Sequence, residues 1–164
     1  MKPSSAVPTT RSRDEYWMRR ALERASMAAA ADEVPVGAVI VQGDRLLGEA
    51  ENARESLRDP TAHAEMIAIT QAASAVDGWR LVDTTMYVTL EPCLMCSGAI
   101  LQSRIPRLVF GASDPKGGAV VSLYRTLSDP RLNHRVETAG DVLADACGEI
   151  LTRFFAAKRA ASRP

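Results

Sequence analysis

Two short stretches of the chain contain side chains that bind metal ions or move protons, His63-Ala64-Glu65 and Pro92-Cys93-Leu94-Met95-Cys96. Histidine and cysteine are preferred zinc ligands, and a zinc ion with only three protein ligands keeps a fourth position open for catalysis. A bound zinc ion lowers the pKa of water toward neutrality, and a nearby carboxylate that is not a ligand can carry the released proton. The pattern predicts a hydrolytic zinc site with His63, Cys93 and Cys96 as ligands and Glu65 as proton carrier.

The spacing of these residues indicates that two helix N-termini position them. Cys93 and Cys96 are three residues apart, so they share one face of a helix. Pro92 suits the first turn of that helix, where the positive end of the helix dipole favours a thiolate. His63 follows Asp59-Pro60-Thr61, whose aspartate or threonine is predicted to cap the other helix.

A Cys-x-x-Cys pair also occurs in redox-active sites and in closed structural zinc sites. A closed site needs a fourth ligand, for which the chain offers only Cys147 and His134. Cys147 lies in an apolar stripe at helical spacing and is predicted to be a core residue, whereas His134 is predicted to lie in a loop. Glu65 would have no function in a closed site, so the open, catalytic interpretation is favoured.

Composition limits the class of protein. A chain of 164 residues can form one domain with a full core. Its formal net charge of +0 argues against a broad electrostatic grip on nucleic acid, although a local basic patch is compatible with it. Two of the three cysteines belong to the metal motif, which suggests no disulfide framework and favours the cytoplasm. Without an export leader or a long apolar run, we expect a soluble protein with no membrane association.

Helix and strand patterns alternate along the chain, which predicts one layered α/β domain over residues 14–160 with about five strands. The predicted elements are a disordered tail over residues 1–13, a helix over 14–31 capped by Asp14, strands over 38–41 and 45–51, a helix over 61–75, a central strand within 81–90, a helix over 93–103, a strand over 107–110, a helical turn over 123–127, a strand over 133–137 and a helix over 141–160 capped by Asp141.

Three polar residues near predicted strand ends are candidate substrate contacts. Asn52 ends the second strand, where its amide could contact a base or simply form a turn. Asp114 and Lys116 belong to the glycine-containing segment 111–118, which follows a predicted strand. Ligands of open α/β sheets bind at the carboxyl ends of strands, but a solvated turn would have the same composition. Position alone leaves both interpretations open.

The chain resembles the bacterial tRNA-specific adenosine deaminases of the cytidine-deaminase-like superfamily from Glu15 to Arg159. The His-x-Glu and Pro-Cys-x-x-Cys motif is specific to the superfamily, and its flanking blocks favour the tRNA enzymes. Those blocks are Glu33-Val34-Pro35-Val36-Gly37-Ala38, Asp59-Pro60-Thr61-Ala62-His63-Ala64-Glu65, Tyr87-Val88-Thr89-Leu90-Glu91-Pro92-Cys93, Val109-Phe110-Gly111-Ala112, Asp114 with Lys116 and Gly117, and Asn133-His134-Arg135-Val136-Glu137.

The resemblance implies a three-layer α/β/α fold with a five-stranded mixed sheet, a homodimer and one zinc ion per subunit. The implied reaction converts adenosine to inosine at the wobble position of an arginine tRNA anticodon. The ligand and proton-shuttle roles would fall on the four motif residues, and a base contact on Asn52. The remaining contacts to the tRNA anticodon loop would fall on Asp114, Lys116, Phe155 and Arg159.

Two other functions share the same motif. A deaminase of free bases or nucleosides, of the guanine or cytosine type, would need the same zinc site, and the neutral charge mildly favours it. The flanking blocks oppose that interpretation. A non-catalytic zinc-binding interaction module is a third possibility, and Glu65 argues against it because a structural site has no use for an acid beside an open ligand position.

Overall fold

The computed structural model describes residues 9–163, and residues 1–8 of the tail predicted over residues 1–13 lie outside this range. Within the described residues no helix is long and apolar enough to cross a membrane. The elements in chain order are α1 (Thr10–Ala30), β1 (Gly37–Gln42), β2 (Arg45–Glu51), α2 (Arg54–Leu57), α3 (Ala64–Ala75), β3 (Thr84–Leu90), α4 (Leu94–Gln102), β4 (Arg107–Ala112), a 3-10 turn (Thr126–Ser128), β5 (Glu137–Ala139) and α5 (Ala144–Ala161).

The five strands form one mixed sheet, as predicted, and their order is β2-β1-β3-β4-β5. Strand β1 pairs antiparallel with β2 and β3, whereas β3, β4 and β5 run parallel. Parallel neighbours need a crossover connection, and α4 supplies it between β3 and β4. The metal motif at the start of α4 therefore lies at the carboxyl end of β3, the edge where ligands bind in α/β sheets.

Alternating strand residues divide the core into two layers, because successive side chains of a strand point to opposite faces of the sheet. Helix α3 packs against β1 and β2, and helices α1 and α5 pack against the sheet through a separate apolar cluster. The first cluster includes Ile40, Ala68, Met86, Val88 and Leu108, and the second includes Met18, Val39, Tyr87, Val109 and Cys147. This arrangement confirms the predicted three-layer α/β/α fold.

The first helix starts earlier than predicted. It begins at Thr10 because the Thr9 side chain accepts a hydrogen bond from the backbone N–H of Ser12 at 3.2 Å. The predicted tail was therefore wrong for residues 10–13, and the prediction of Asp14 as the cap was also wrong. Asp14 lies inside the helix and is buried.

The last two elements also differ from the prediction. Strand β5 starts at Glu137, because the preceding residues bond to loops: the His134 ring contacts the Ile105 carbonyl at 2.9 Å, and the Val136 N–H donates to Leu127. Helix α5 starts at Ala144 and is not capped by Asp141, because the Val142 N–H donates to the carbonyl of Phe110.

The apolar stripe predicted along α5 contributes less to the core than its spacing indicates. Cys147 is fully buried, as predicted, whereas Phe155 is 43% exposed. Only Cys147 of this helix is fully buried within the described residues. The helix packs mainly against β4, and its residues from Phe155 onward are exposed.

Candidate metal centre and substrate pocket

The three predicted ligands meet at one point. The Nδ1 atom of His63 lies 3.6 Å from the Cys93 sulfur and 3.5 Å from the Cys96 sulfur. A tetrahedral zinc ion with ordinary Zn–N and Zn–S bonds separates nitrogen from sulfur by about 3.6 Å. All three donor atoms lie within 4.8 Å of one another. The trio therefore fits a tetrahedral zinc ion, with three protein ligands and one position open.

Two helix starts position the trio, as the spacing predicted, but each helix begins later than expected. His63 itself is the residue preceding α3, and Cys93 is the residue preceding α4. Asp59 does not cap α3, because its carboxylate accepts two hydrogen bonds from Thr61 and forms a local turn instead. Cys96 lies in the first turn of α4 and Cys93 directly precedes that turn, where the positive end of the helix dipole favours the Cys93 thiolate.

The two thiols share one proton when no metal is bound. The hydrogen bond from the Cys96 thiol and the contact with His63 together lower the pKa of Cys93 to about 3, although burial opposes the shift. The same bond keeps the proton on Cys96 and raises the pKa of that thiol. The Cys93 thiolate in turn raises the pKa of His63. A metal ion would displace the shared proton, because cysteine binds metals as the thiolate.

Glu65 lies in the first turn of α3 and is only 4% exposed. Burial raises the pKa of its carboxyl group, although the nearby positive charge of His63 opposes the shift. A carboxyl group with a raised pKa exchanges protons near neutral pH more readily than an exposed one. Glu65 does not belong to the donor trio, so it is free to act on a molecule in the pocket.

A cavity of about 140 Å³ opens beside the trio, comparable to cavities that accept one aromatic ring. Its walls combine the metal motif with residues just before β1, just after β2, at the end of β3 and in the segment after β4. The lining residues are Val34, Val36, Asn52, Arg54, His63, Ala64, Glu65, Leu90, Glu91, Cys93 and Asp114. The structure thus brings together Glu65, two of the predicted ligands, Asn52 and Asp114.

Asn52 is 6% exposed and held in place from both ends. Its backbone N–H donates to Val36, and its side-chain Nδ2 donates to the carbonyl of Val34 at 3.2 Å. The Oδ1 atom has no hydrogen-bond partner among residues 9–163. An unpaired buried acceptor is costly, so a ligand that donates a hydrogen bond here would satisfy it.

Two further residues at this wall were not singled out from the sequence. Arg54 lines the cavity and also a second, larger cavity that adjoins it. The buried Glu33 carboxylate accepts hydrogen bonds from the N–H groups of Glu55 and Ser56 at 3.2 and 2.7 Å. These bonds hold the short helix α2, and therefore Arg54, against the pocket. An acid next to the half-buried Val34 was the only sequence signal for this role.

Asp114 and Lys116 both lie in the segment after β4, but only Asp114 faces the cavity. Asp114 lines the cavity, and its carboxylate accepts a hydrogen bond from the backbone N–H of Lys116 at 3.0 Å. The Lys116 side chain is exposed and does not line either cavity within the described part of the chain. Asp114 is therefore part of the pocket, whereas Lys116 belongs to its outer rim.

Glu91 was not predicted to have a role, although it lines the same cavity and is only 2% exposed. Burial would raise the pKa of its carboxyl group, but hydrogen bonds from the Ser122 hydroxyl and from backbone N–H groups lower it to about 2. Glu91 is therefore a carboxylate at neutral pH. An acidic residue directly after an apolar strand was the signal that could have identified it.

The two predicted C-terminal contacts differ in position. Phe155 borders the second cavity, which shares Asn52 and Arg54 with the first one. Arg159 is exposed on the last part of α5 and, among the described residues, does not line either of these cavities. Only Phe155 is therefore continuous with the metal centre along one surface.

Comparison with known proteins agrees with this geometry. The chain matches the family of MafB19-like deaminases over residues 12–159. A tRNA-specific adenosine deaminase of Haemophilus influenzae is 50% identical over 147 residues, which cover 89% of this chain and 85% of that relative. A tRNA-specific adenosine deaminase of Streptococcus pyogenes serotype M1 is 45% identical over 149 residues, covering 91% of this chain and 87% of the relative.

A solved structure from biochemical and structural studies of A-to-I editing by tRNA:A34 deaminases at the wobble position of transfer RNA superposes with a TM-score of 0.80. It is 43% identical and covers 83% of this chain and 99% of that one. Fold, pocket and family match define a deaminase. Within that class, the chain belongs to the bacterial tRNA-specific adenosine deaminases of the cytidine-deaminase-like superfamily, as the resemblance predicted.

Proposed function

We propose that this protein is a zinc-dependent enzyme that deaminates adenosine to inosine at the wobble position of the anticodon of an arginine tRNA. The observation that carries the proposal is the meeting of a three-donor metal centre with the buried carboxyl group of Glu65 in one pocket. Membership of the tRNA-specific adenosine deaminases supports the substrate.

In this proposal His63, Cys93 and Cys96 hold one zinc ion per subunit. Zinc supplies Lewis acidity, which lowers the pKa of water toward neutrality. The nitrogen–sulfur separations of 3.5 and 3.6 Å support zinc rather than a larger, oxygen-preferring cation. The two cysteines also favour zinc, because magnesium and calcium prefer oxygen ligands.

Glu65 moves the proton. It accepts a proton from water as the water oxygen bonds to the adenine carbon that bears the amino group. Glu65 gives that proton to the ring nitrogen, then takes the remaining proton of the new hydroxyl group and gives it to the amino group, so that the carbon–nitrogen bond breaks, ammonia leaves and inosine keeps the carbonyl oxygen. Its buried position and raised pKa suit both steps, because the group must alternate between acid and base.

Asn52 orients the base by offering its unpaired Oδ1 acceptor to a donor on the substrate. Asp114 contacts the nucleotide at the pocket rim, and Lys116 contacts the backbone outside it. Phe155 and Arg159 extend the contact surface along α5. An anticodon loop presents partly unstacked bases, so bringing the target base into the pocket costs only a few kcal/mol.

A homodimer in the cytoplasm is part of the proposal. Large apolar side chains are exposed next to the metal helix: Leu94 is 52% exposed, Leu123 is 54% exposed and Tyr124 is 53% exposed. The Leu123 N–H donates to Gly118, which pairs with Cys93, so these side chains lie in neighbouring segments. A second subunit would cover them. The free cysteines of the described residues agree with a reducing compartment.

A substrate comparison tests the reaction. Zinc-loaded protein would be offered an arginine-tRNA anticodon stem-loop with adenosine at the wobble position, the same loop with that base replaced, and free adenosine, cytidine and guanine. We expect inosine only from the first RNA, detected by mass and chromatography. Turnover of a free base or nucleoside with the RNA left intact would contradict the tRNA substrate and support a metabolic deaminase.

Metal analysis tests the cofactor independently of substrate. We expect about one zinc ion per chain in the wild type and in Cys147→Ala, and a large loss of bound zinc in Cys96→Ala. Cys147 is the matched control because it is a buried cysteine outside the trio. Full zinc retention in Cys96→Ala would contradict the proposed ligand set.

A further inference from the structure

The buried carboxylate of Glu91, just before the metal motif at the start of α4, binds the segment 114–122 that begins at Asp114. Both oxygens of Glu91 accept hydrogen bonds from that segment. Oε1 accepts from the backbone N–H groups of Val120, Val121 and Ser122 at 3.1, 2.8 and 2.9 Å. Oε2 accepts from the Asp114 N–H at 2.9 Å and from the Ser122 hydroxyl.

These five donors compensate the charge of Glu91 in place of a cation. Within residues 9–163 Glu91 forms no salt bridge, and its side chain is almost completely buried. Converging backbone N–H groups form a concave site for an anion, and here the anion is a side chain of the same protein. Both ends of the segment 114–122 therefore depend on one side chain.

The backbone around Glu91 ties the same segment to the metal centre. The Ala119 N–H donates to the carbonyl of Pro92 at 2.9 Å, and Cys93 forms an isolated β-bridge with Gly118. Gly118 is necessary at this point, because a Cβ atom there would overlap the carboxyl group of Glu91. The segment is thus held at one position relative to the metal ligand Cys93.

We propose that Glu91 is a positioning residue for the deamination reaction: it holds segment 114–122 so that Asp114 forms the rim of the substrate pocket. The inference rests on the proposed function for its effect on turnover. Glu91 acts through Asp114 and the backbone, and not on the reacting atoms. Without it, the pocket would retain its metal centre and its proton carrier but lose a fixed wall on one side.

Glu91→Gln tests this with little change of volume. If the amide oxygen replaces Oε1, the amide NH₂ faces the Asp114 N–H, so two donors meet and the Asp114 end is released. If the amide is turned around, the three N–H groups of residues 120–122 lose their acceptor. In either orientation we expect unchanged zinc content, amide hydrogen exchange in 114–122 about tenfold faster, and kcat/KM for the stem-loop about tenfold lower, mainly through KM.

A double-mutant cycle separates positioning from a general structural effect. If Glu91 acts by placing Asp114, then Glu91→Gln should have little further effect on kcat/KM in an Asp114→Ala background. Additive losses would overturn the inference, as would an unchanged KM or unchanged exchange in the single variant. Loss of zinc or of cooperative unfolding in Glu91→Gln would also overturn it, because Glu91 would then support the fold in general.

Gly118→Ala perturbs the same contact from the other side and leaves the Glu91 carboxylate in place. We expect the same pattern of retained zinc, faster exchange in 114–122 and raised KM. Gly148→Ala is the matched control, because no atom lies within 4 Å of the added Cβ there. Wild-type protein that fails to deaminate the RNA would refute the proposed function, and with it the role in turnover, whereas the exchange data would still report on the anchoring.

Discussion

Arg107 holds Asp14 with both terminal nitrogens of its guanidinium, each 2.8 Å from a different carboxylate oxygen. The Tyr87 hydroxyl donates to the same carboxylate at 2.9 Å. The pair joins α1 to β4, and the Asp14 side chain is only 7% exposed. A bidentate, hydrogen-bonded pair of this kind restrains two elements relative to one another. It therefore fixes how α1 covers the sheet.

Asp14→Ala should destabilise the protein by roughly 3 kcal/mol, because the largely buried Arg107 cation loses its buried, bidentate partner and keeps only the largely exposed Glu137. Urea unfolding curves monitored by circular dichroism measure the difference in unfolding free energy. Tyr87→Phe is the milder comparison, since it removes one hydrogen bond and keeps the ion pair, at a cost of about 1 kcal/mol. Equal effects of the two variants would contradict the assignment of the ion pair as the main contact.

The same contact should make stability depend on pH. Burial alone would raise the Asp14 pKa, but the hydrogen bonds from Arg107 and Tyr87 and the Arg107 charge lower it below its ordinary value of 3.8. The pKa of Asp14 is lower in the folded protein than in the unfolded chain. The ionised carboxylate therefore contributes its full share of the unfolding free energy above the ordinary pKa, and this share is lost as the pH falls through the folded pKa.

We therefore expect the difference in unfolding free energy between wild type and Asp14→Asn to shrink as pH is lowered from about 6 to about 3. Urea titrations at a series of pH values would measure it. A difference that stays constant over this range would show that protonation of Asp14 is not coupled to folding.

Glu65→Gln should lower kcat for the RNA substrate by about 10²–10⁴-fold, because the amide cannot carry the proton, while zinc stays bound. Single-turnover kinetics and metal analysis measure the two effects separately. Glu149→Gln makes the same chemical change on an exposed part of α5 and should leave both unchanged. Loss of zinc in Glu65→Gln would recast Glu65 as structural, and retained activity would exclude it as the proton carrier.

Phe155→Ala should weaken RNA turnover more than Arg159→Ala does. Phe155 borders the cavity that continues from the pocket, and loss of a base-stacking ring lowers kcat/KM about tenfold or more. Arg159 is exposed, so its removal should act weakly and mostly at low salt. Measurement of kcat/KM at two salt concentrations distinguishes them, and a larger loss in Arg159→Ala would contradict the proposed surface.

The sequence by itself determined the metal trio and placed the starts of α1, α3, α4 and α5 to within four residues, whereas it did not predict the short helix α2. Cys93 and Cys96 are close in the chain, and Glu65 is two residues from His63, so local geometry places each pair. The alternation of helices and strands likewise determined the layered fold, because it reflects the period of each element. The elements depend on interactions within short segments, whereas the meeting of His63 with the two cysteines, 30 and 33 residues away, depends on the fold and was predicted from the combined motif.

Only the tertiary structure decided the contacts between distant segments. Asp14 resembled a helix cap, yet packing places it inside α1 against Arg107, 93 residues away. Glu91 looked like the polar end of a strand, yet it binds a segment that begins at Asp114. The physical reason is that a buried charge must find its partners wherever the fold brings donors, and sequence distance does not limit that choice.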